Sequence, residues 1–342
     1  MTHNKQPAFD KSRFFQDMEK SVSLIPQAVE AGAALAADRI QRLLLVGCGA
    51  PYYMFQVLAF WANRKASDLK VHVLYPHEFI QLANDLDDKS AVVFGSHSGK
   101  TAETVLAAEA ISDQTTRSFA ISQFPESPLA QKVNQVFSYG SSGQGYFSAF
   151  LIAQTIVSSF LSKADVSWKM HGQIVNSLSN LPGALANAKE AGMATALESA
   201  EILKNEEKIY IVGAGPMYTT AYVHAACFLM EMQRIHALSI RAADFFHGPF
   251  EVLDERTPVI VLLGEDPSRN EAQRVLNFCE RYINGALTFD SKLFEMPGIH
   301  SEIRPVVAPF IVDAAMTTMV ERLAQLRGHP LDTRQYMGKV DY

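Results

Sequence analysis

Ala91-Val92-Val93-Phe94-Gly95 runs into Ser96-His97-Ser98-Gly99-Lys100-Thr101, with Ala102-Glu103-Thr104 behind it. The first five residues are apolar and read as a buried strand; the last three open a helix. A strand that ends in Ser-x-Ser-Gly-x-Thr and turns into a helix gathers hydroxyls and free backbone N–H groups at one point. That is an anion site, most simply a phosphate site. Arg42-Leu43-Leu44-Leu45-Val46, running into Gly47-Cys48-Gly49-Ala50, is a second joint of the same build.

Outward from these joints, strand patterns fall at 42–46, 70–75, 91–95, 117–121 and 135–139. Helical patterns lie between them, notably at 52–64 and 101–112. This βαβ rhythm predicts a parallel sheet with helices on both faces. One helix is expected from Phe14 to about Ala37, and a strongly apolar one from Phe147 to Leu161 closes the unit. Residues 165–206 read as two connecting helices. Lys208-Ile209-Tyr210-Ile211-Val212 then enters Gly213-Ala214-Gly215-Pro216 and restates the joint at 42–50. Strands follow near 235–240, 258–263 and 286–289, with helices near 216–232, 269–282 and 309–327. The expected architecture is therefore two similar α/β units in tandem, each a flavodoxin-like parallel sheet. Residues 1–165 would hold the N-terminal helix and first unit, and 166–328 the linking helices and second unit. The stretch 329–342 contains Pro330 and Gly338, shows no periodicity, and reads as a non-helical arm.

The bulk numbers exclude several classes. A chain of 342 residues that is 48% hydrophobic and 19% charged can bury a core and is not disordered. Net charge is −6 with no long basic run, so nucleic acid and anionic membranes are not expected partners. The polar start, Met1-Thr2-His3-Asn4-Lys5, has no apolar signal segment, and no run of about 18 or more apolar residues offers a membrane span. Cys48, Cys227 and Cys279 make an odd count without a C-x-x-C pair; reduced thiols and a cytoplasmic location are expected. No cluster has metal-ligand spacing, and neither a metal nor a cofactor is expected.

Gly99-Lys100-Thr101 invites comparison with an ATP-binding P-loop, but three residues separate Gly95 from Gly99 where that loop has four. The alternative, that Ser96 and Thr101 merely cap a helix, leaves Ser98 unexplained. Gly47-Cys48-Gly49 and Gly213-Ala214-Gly215 lack the third glycine of a dinucleotide fingerprint; tight strand-to-helix turns account for both. Glu231 stands in Phe228-Leu229-Met230-Glu231-Met232, on an otherwise apolar helix. Burial there would raise its pKa, and a buried acid is either paired or functional. His247 precedes Gly248-Pro249, which forces a turn and puts the imidazole on a loop. Arg234, Arg241 and Asp244 lie close in sequence to these residues and would serve either a ligand or a surface ion pair.

Together, Gly47-Cys48-Gly49, Ser96 to Thr101, Glu231, His247-Gly248-Pro249 and the ending Arg334-Gln335-Tyr336-Met337-Gly338-Lys339-Val340 resemble a tandem sugar isomerase (SIS) domain protein over nearly the whole chain. The set is similar to the isomerase half of glucosamine-6-phosphate synthase; a glutaminase half is not expected, because the chain does not begin with the nucleophilic cysteine. Phe245-Phe246-His247-Gly248-Pro249-Phe250-Glu251 and Met230-Glu231-Met232-Gln233 more closely resemble bacterial fructosamine-6-phosphate deglycases, including the fructose-asparagine branch. Ala243-Asp244 stands where that group often has Gly-Glu.

The resemblance implies a small-molecule substrate, a 6-phosphorylated ketosamine with an amine at C1. Its phosphate would dock on Ser96, Ser98 and Thr101, with Gly47, Cys48, Gly49, His97 and Gly99 lining the sugar. His247 would shuttle the ring-oxygen proton, and Glu231 would take a proton from C1. Lys339 would reach the substrate from an arm folded over it. Homodimers or higher homo-oligomers are implied, with sites near the subunit interface, the histidine contributed across it, and Phe245-Phe246 at the contact. The same residues would serve an aldose–ketose isomerase or a glucosamine-6-phosphate deaminase. A non-catalytic sugar-phosphate sensor is the alternative of another class; such regulators usually carry a DNA-binding unit before a single SIS domain, whereas the segment before the first strand here is not basic.

Overall fold

The structure, a computed structural model, describes residues 9–114 and 116–341. Residues 1–8 of the first expected domain and Tyr342 of the expected arm therefore lie outside the described residues. The chain forms two units. One comprises Lys11–Pro182 and Gly298–Ile303; the other comprises Gly183–Pro297 and 304–341, with Phe9 and Asp10.

The sheet of the N-terminal unit contains β1 (Arg42–Gly47), β2 (Lys70–Leu74), β3 (Ser90–Gly95), β4 (Arg117–Ser122) and β5 (Gln135–Ser138). All pairs are parallel, in the order β2-β1-β3-β4-β5. That is the flavodoxin-like doubly wound order, whose switch point lies between β1 and β3. Gly47 pairs with Gly95 across these strands, so both glycine turns leave the sheet at one level on its carboxyl edge. Every residue of β3 is buried, as a central parallel strand requires.

Flanking helices are α1 (Lys11–Ser23), α2 (Ile25–Ala37), α3 (Ala50–Lys65), α4 (Pro76–Leu82), α5 (Ala102–Glu109) and α6 (Gly145–Ala164). The single helix expected over 14–37 is two, because Pro26 lacks an N–H and starts a helix rather than continuing one. Helix α6 is long and apolar enough to cross a membrane, yet 83% of its most apolar stretch is buried. It is a core helix. A Cβ on Gly32 of α2 would collide with the Ile156 carbonyl oxygen, so only glycine lets α2 approach α6 this closely.

Helices α7 (His171–Ala191) and α8 (Met193–Leu203) are the pair expected over 165–206. The second sheet holds β6 (Lys208–Gly213), β7 (His236–Arg241), β8 (Val259–Leu263) and β9 (Leu287–Asp290), parallel in the order β7-β6-β8-β9. It repeats the first four positions of the first sheet and, among the described residues, has no fifth strand. The helix expected over 216–232 is instead a 3-10 turn (Gly215–Met217), α9 (Tyr218–Tyr222) and a π-helical stretch (Val223–Met232). Then come α10 (Ala242–Phe245), α11 (Arg269–Tyr282) and α12 (Arg304–Arg327). Helix α12 starts before the expected 309 and carries Pro309 inside. Past α12, residues 329–341 form turns without helix or strand.

Candidate active site

At the end of β3 the chain folds into a hydroxyl-lined loop. Ser96 is buried; its Oγ lies 2.8 Å from Thr101 Oγ1 and accepts the Gly99 N–H at 3.1 Å. Ser98 Oγ accepts the Lys100 N–H at 3.1 Å. The loop is pinned from behind: the His97 carbonyl accepts from Gln123 N–H and the Gly99 carbonyl from Leu129 N–H. Gly99 has φ +64, and a Cβ there would collide with the Ser127 side chain, so this corner admits glycine alone. Thr101 occupies the N-cap position of α5, but its hydroxyl turns to Ser96 and makes no cap bond. The simple capping account therefore fails. The first N–H groups of α5 carry no side-chain cap, and in the chain they follow directly on the loop that bears the three hydroxyls.

The Gly47-Cys48-Gly49 turn adjoins this loop through the Gly47–Gly95 pairing. Gly49, at φ +58, leads into α3. Burial and the nearby Glu103 carboxylate raise the Cys48 pKa, so its thiol stays protonated near neutrality. His97 puts Nδ1 2.8 Å from the Tyr139 hydroxyl, with the rings stacked. Desolvation lowers the pKa of His97 and raises that of Tyr139, which keeps both neutral. Lys100 is exposed.

The other expected site residues belong to the second unit. Glu231 stands in the last turn of the π-helical stretch, half-buried. Burial is the largest influence on its carboxyl and raises the pKa; the charge and hydrogen bond of Arg334 oppose it. Arg334 Nη2 lies 2.9 Å from Glu231 Oε1, while Nη1 donates to the Leu331 and Thr333 carbonyls at 2.7 and 3.0 Å. The arm is tethered at its start by buried Gln233, whose Nε2 donates to the His329 carbonyl at 2.8 Å. Lys339 is exposed and donates to the Arg334 carbonyl at 2.6 Å, bracing the arm. Met230, Glu231, Arg234 to His236 and Arg334 to Met337 wall a cavity of about 630 Å³.

Behind Glu231 the helix carries a polar side chain where it is most buried. His224 Nε2 lies 3.1 Å from Asp313 Oδ1 of α12, both fully or almost fully buried, with the imidazole stacked on Phe228. Cys227 is pushed up to about 12 by burial and by the charges of Glu231 and Asp313.

His247 is exposed in the turn after α10; its N–H bonds the Asp244 carbonyl at 2.9 Å, and Gly248 follows at φ +128. The aromatic pair before it behaves otherwise than expected. Phe245 is fully buried and packs with Phe246, Phe250 and Phe278 in its own unit's core. Phe246 also carries the Arg274 guanidinium 4.0 Å above its ring. Core packing thus accounts for Phe245, which offers no surface to another subunit. Arg241 lies 4.0 Å over the Tyr218 ring, and Asp244 is exposed on α10.

Arg334 is the residue whose role the sequence did not reveal. Its one signal is membership of the Arg-Gln-Tyr-Met-Gly-Lys ending; nothing local says that this ending folds onto Glu231. Asp313, by contrast, carries the signal that picked out Glu231: an acid in an apolar helical run, Ile311-Val312-Asp313-Ala314-Ala315.

A doubly wound sheet with a hydroxyl-lined loop at its switch point defines the class, a SIS-type α/β protein, and the SIS domain model matches residues 38–150. The chain is 31% identical to fructosamine deglycase FrlB of Bacillus subtilis over 90% of its own length and 94% of that protein's. It is 28% identical to fructoselysine 6-phosphate deglycase of Escherichia coli, covering 94% and 93%. A solved Bacillus subtilis structure, assigned as a candidate phosphosugar isomerase, superposes with a TM-score of 0.85 at 30% identity, over 95% of this chain and all of that one. This chain belongs to the SIS-domain family, in the group that holds these deglycases.

Proposed function

We propose that this protein is a deglycase that cleaves a 6-phosphorylated fructosamine to an aldose 6-phosphate and a free amine. The observation that carries the reading is Glu231: a carboxyl raised by burial on the wall of a ligand-sized cavity, in a chain whose other unit carries an anion loop. Ser96, Ser98 and Thr101, with the uncapped N–H groups of α5, hold the phosphate and fix the sugar's orientation. Gly47, Cys48, Gly49, His97 and Gly99 shape the sugar's surroundings without ionising. His247 moves the ring-oxygen proton to open the sugar. Glu231 then takes a proton from C1, giving an enaminol; reprotonation at C2 leaves an imine at C1, and water hydrolyses it. A raised carboxyl pKa makes Glu231 a stronger base than an exposed acid. The two sheets act as tandem SIS domains, supported by their shared strand order. Assembly as a cytoplasmic homodimer, with His247 serving the partner's site, completes the proposal. Lys339 contributes by holding Arg334.

The test is a panel of ketosamine 6-phosphates, with aldose 6-phosphate and free amine measured together. Equal amounts of both products support deglycation. Ketose–aldose interconversion without amine release would mark an isomerase, and binding without turnover a sensor.

A further inference from the structure

The cavity beside Glu231 is roomier than a proton transfer at C1 requires, and its walls have a distinct chemistry. Met230, Ile235, Tyr336 and Met337 give it apolar flanks. Glu231 is its acid, and Arg334 already pairs with it. Arg234 is the second guanidinium on the wall, exposed and without an ion pair or hydrogen bond among the described residues.

The backbone at Arg234 adds an independent observation. Its φ is +55, in the left-handed region, directly after Gln233 closes the π-helical stretch. Helices commonly end on a left-handed residue at this point, and glycine is its usual occupant because any Cβ is strained there. A long cationic side chain is held where glycine would cost less, and it lines the cavity wall.

The deglycase reading, on which this inference rests, says what enters. C1 of the substrate must reach the Glu231 carboxylate. The amine nitrogen is bonded to C1, so its substituent must occupy the space next to Glu231, which is this cavity. The geometry points to Arg234 as the group that reads that substituent, pairing with its carboxylate while the rest of it lies against Met230, Ile235 and Met337. Among the described residues, no unpaired acid stands on the wall to receive a cationic end in place of a carboxylate.

The experiment compares two ketosamine 6-phosphates that differ at one group: the glycine conjugate, and the glycinamide conjugate, whose carboxylate is replaced by a neutral amide. Wild type is expected to prefer the carboxylate by about 10- to 100-fold in kcat/KM, the range of a charge-assisted hydrogen-bonded pair. Arg234→Gly suits the left-handed backbone and folds without strain. It is expected to raise KM for the glycine conjugate about 10- to 100-fold more than for the glycinamide conjugate, and so to abolish the preference. Equal use of both compounds by wild type, or a preference that survives in Arg234→Gly, overturns the inference and leaves the deglycase reading standing. Release of no amine from either compound by wild type overturns that reading and the inference with it.

Discussion

Glu231 is pulled in two directions, and the balance sets the pH at which its carboxylate forms. Burial raises its carboxyl pKa; Arg334 at 2.9 Å lowers it. A general base works in its ionised form, so activity is lost as pH falls through its pKa. Removing Arg334 takes away the lowering influence. Arg334→Ala is therefore expected to move the acid limb of the kcat/KM profile to higher pH, and Arg334→Lys to restore part of the shift. An unmoved limb would separate the titrating base from Glu231. Glu231→Gln keeps the shape but cannot accept a proton, and should cost about 100- to 10,000-fold in turnover and abolish exchange of C1 hydrogen with deuterated solvent. A mutant that stays inactive overall yet exchanges C1 hydrogen would assign the base role elsewhere. In the anion loop, Ser98→Ala removes one hydroxyl that can donate to a phosphate oxygen. The expected loss is about 1.5–3 kcal/mol in binding of phosphorylated sugar and none for the unphosphorylated one. Calorimetry with both sugars checks it. The acid at 231 was legible because a carboxylate in an apolar helical run is conspicuous. Its partner was not, since Arg334 meets it only through the folded arm.

At the scale of elements, the turns are where sequence and structure agree most closely, and glycines show why. Gly49 and Gly99 both have positive φ, but only Gly99 faces a wall, where a Cβ would run into the Ser127 side chain; around Gly49 a Cβ would meet nothing within 4 Å. Gly49→Ala should therefore cost only backbone strain, about 1–3 kcal/mol, since φ +58 with ψ −131 is a region that L-residues rarely adopt. Gly99→Ala must also push the 96–101 loop off its support, so phosphate binding should fall further than stability does. Urea unfolding and sugar-phosphate titration of both variants make the comparison. Strand positions emerged from the sequence to within a residue or two, because apolar runs ending in glycine fix a parallel strand's burial and its exit. The helices were less legible. The break at Leu24 turned on Pro26 alone. The π-helical stretch escaped because its apolar residues satisfy an ordinary helical pattern equally well. That stretch also buries His224 against Asp313, 3.1 Å apart but off hydrogen-bond alignment. Because the pair makes no aligned hydrogen bond, Asp313→Ala breaks none between them and should destabilise by only about 1 kcal/mol, through the packing it removes. A lowered urea midpoint with unchanged slope is the expected signature.

At the scale of the whole molecule, the repeated strand order divides the candidate site residues between two units. The anion loop belongs to the five-stranded sheet's unit; Glu231, His247 and the arm belong to the other. A recurring rhythm of strands and glycine turns made the repeated strand order legible, while the absence of a fifth strand from the second sheet, among the described residues, left no positive signal to read. Oligomeric state lies beyond any such rhythm, and the expected aromatic contact at Phe245 dissolves into core packing. His247 remains exposed, on a turn fixed by Gly248 and Pro249, as a residue that serves a neighbouring chain must be. Two inactive proteins can test that role. Glu231→Gln homodimers lack the base in both sites, and His247→Ala homodimers lack the shuttle in both. If histidine crosses the interface, a mixed dimer distributes the lesions unevenly: one site takes both mutant residues, and the other takes Glu231 from one chain and His247 from its partner. Mixing the two proteins under subunit exchange should then restore up to about half of wild-type activity per hybrid dimer, rising with the hybrid fraction. If both residues served the same chain's site, every site in the hybrid would carry one lesion. Hybrids demonstrated by mass and yet inactive would therefore place Glu231 and His247 in one subunit's site.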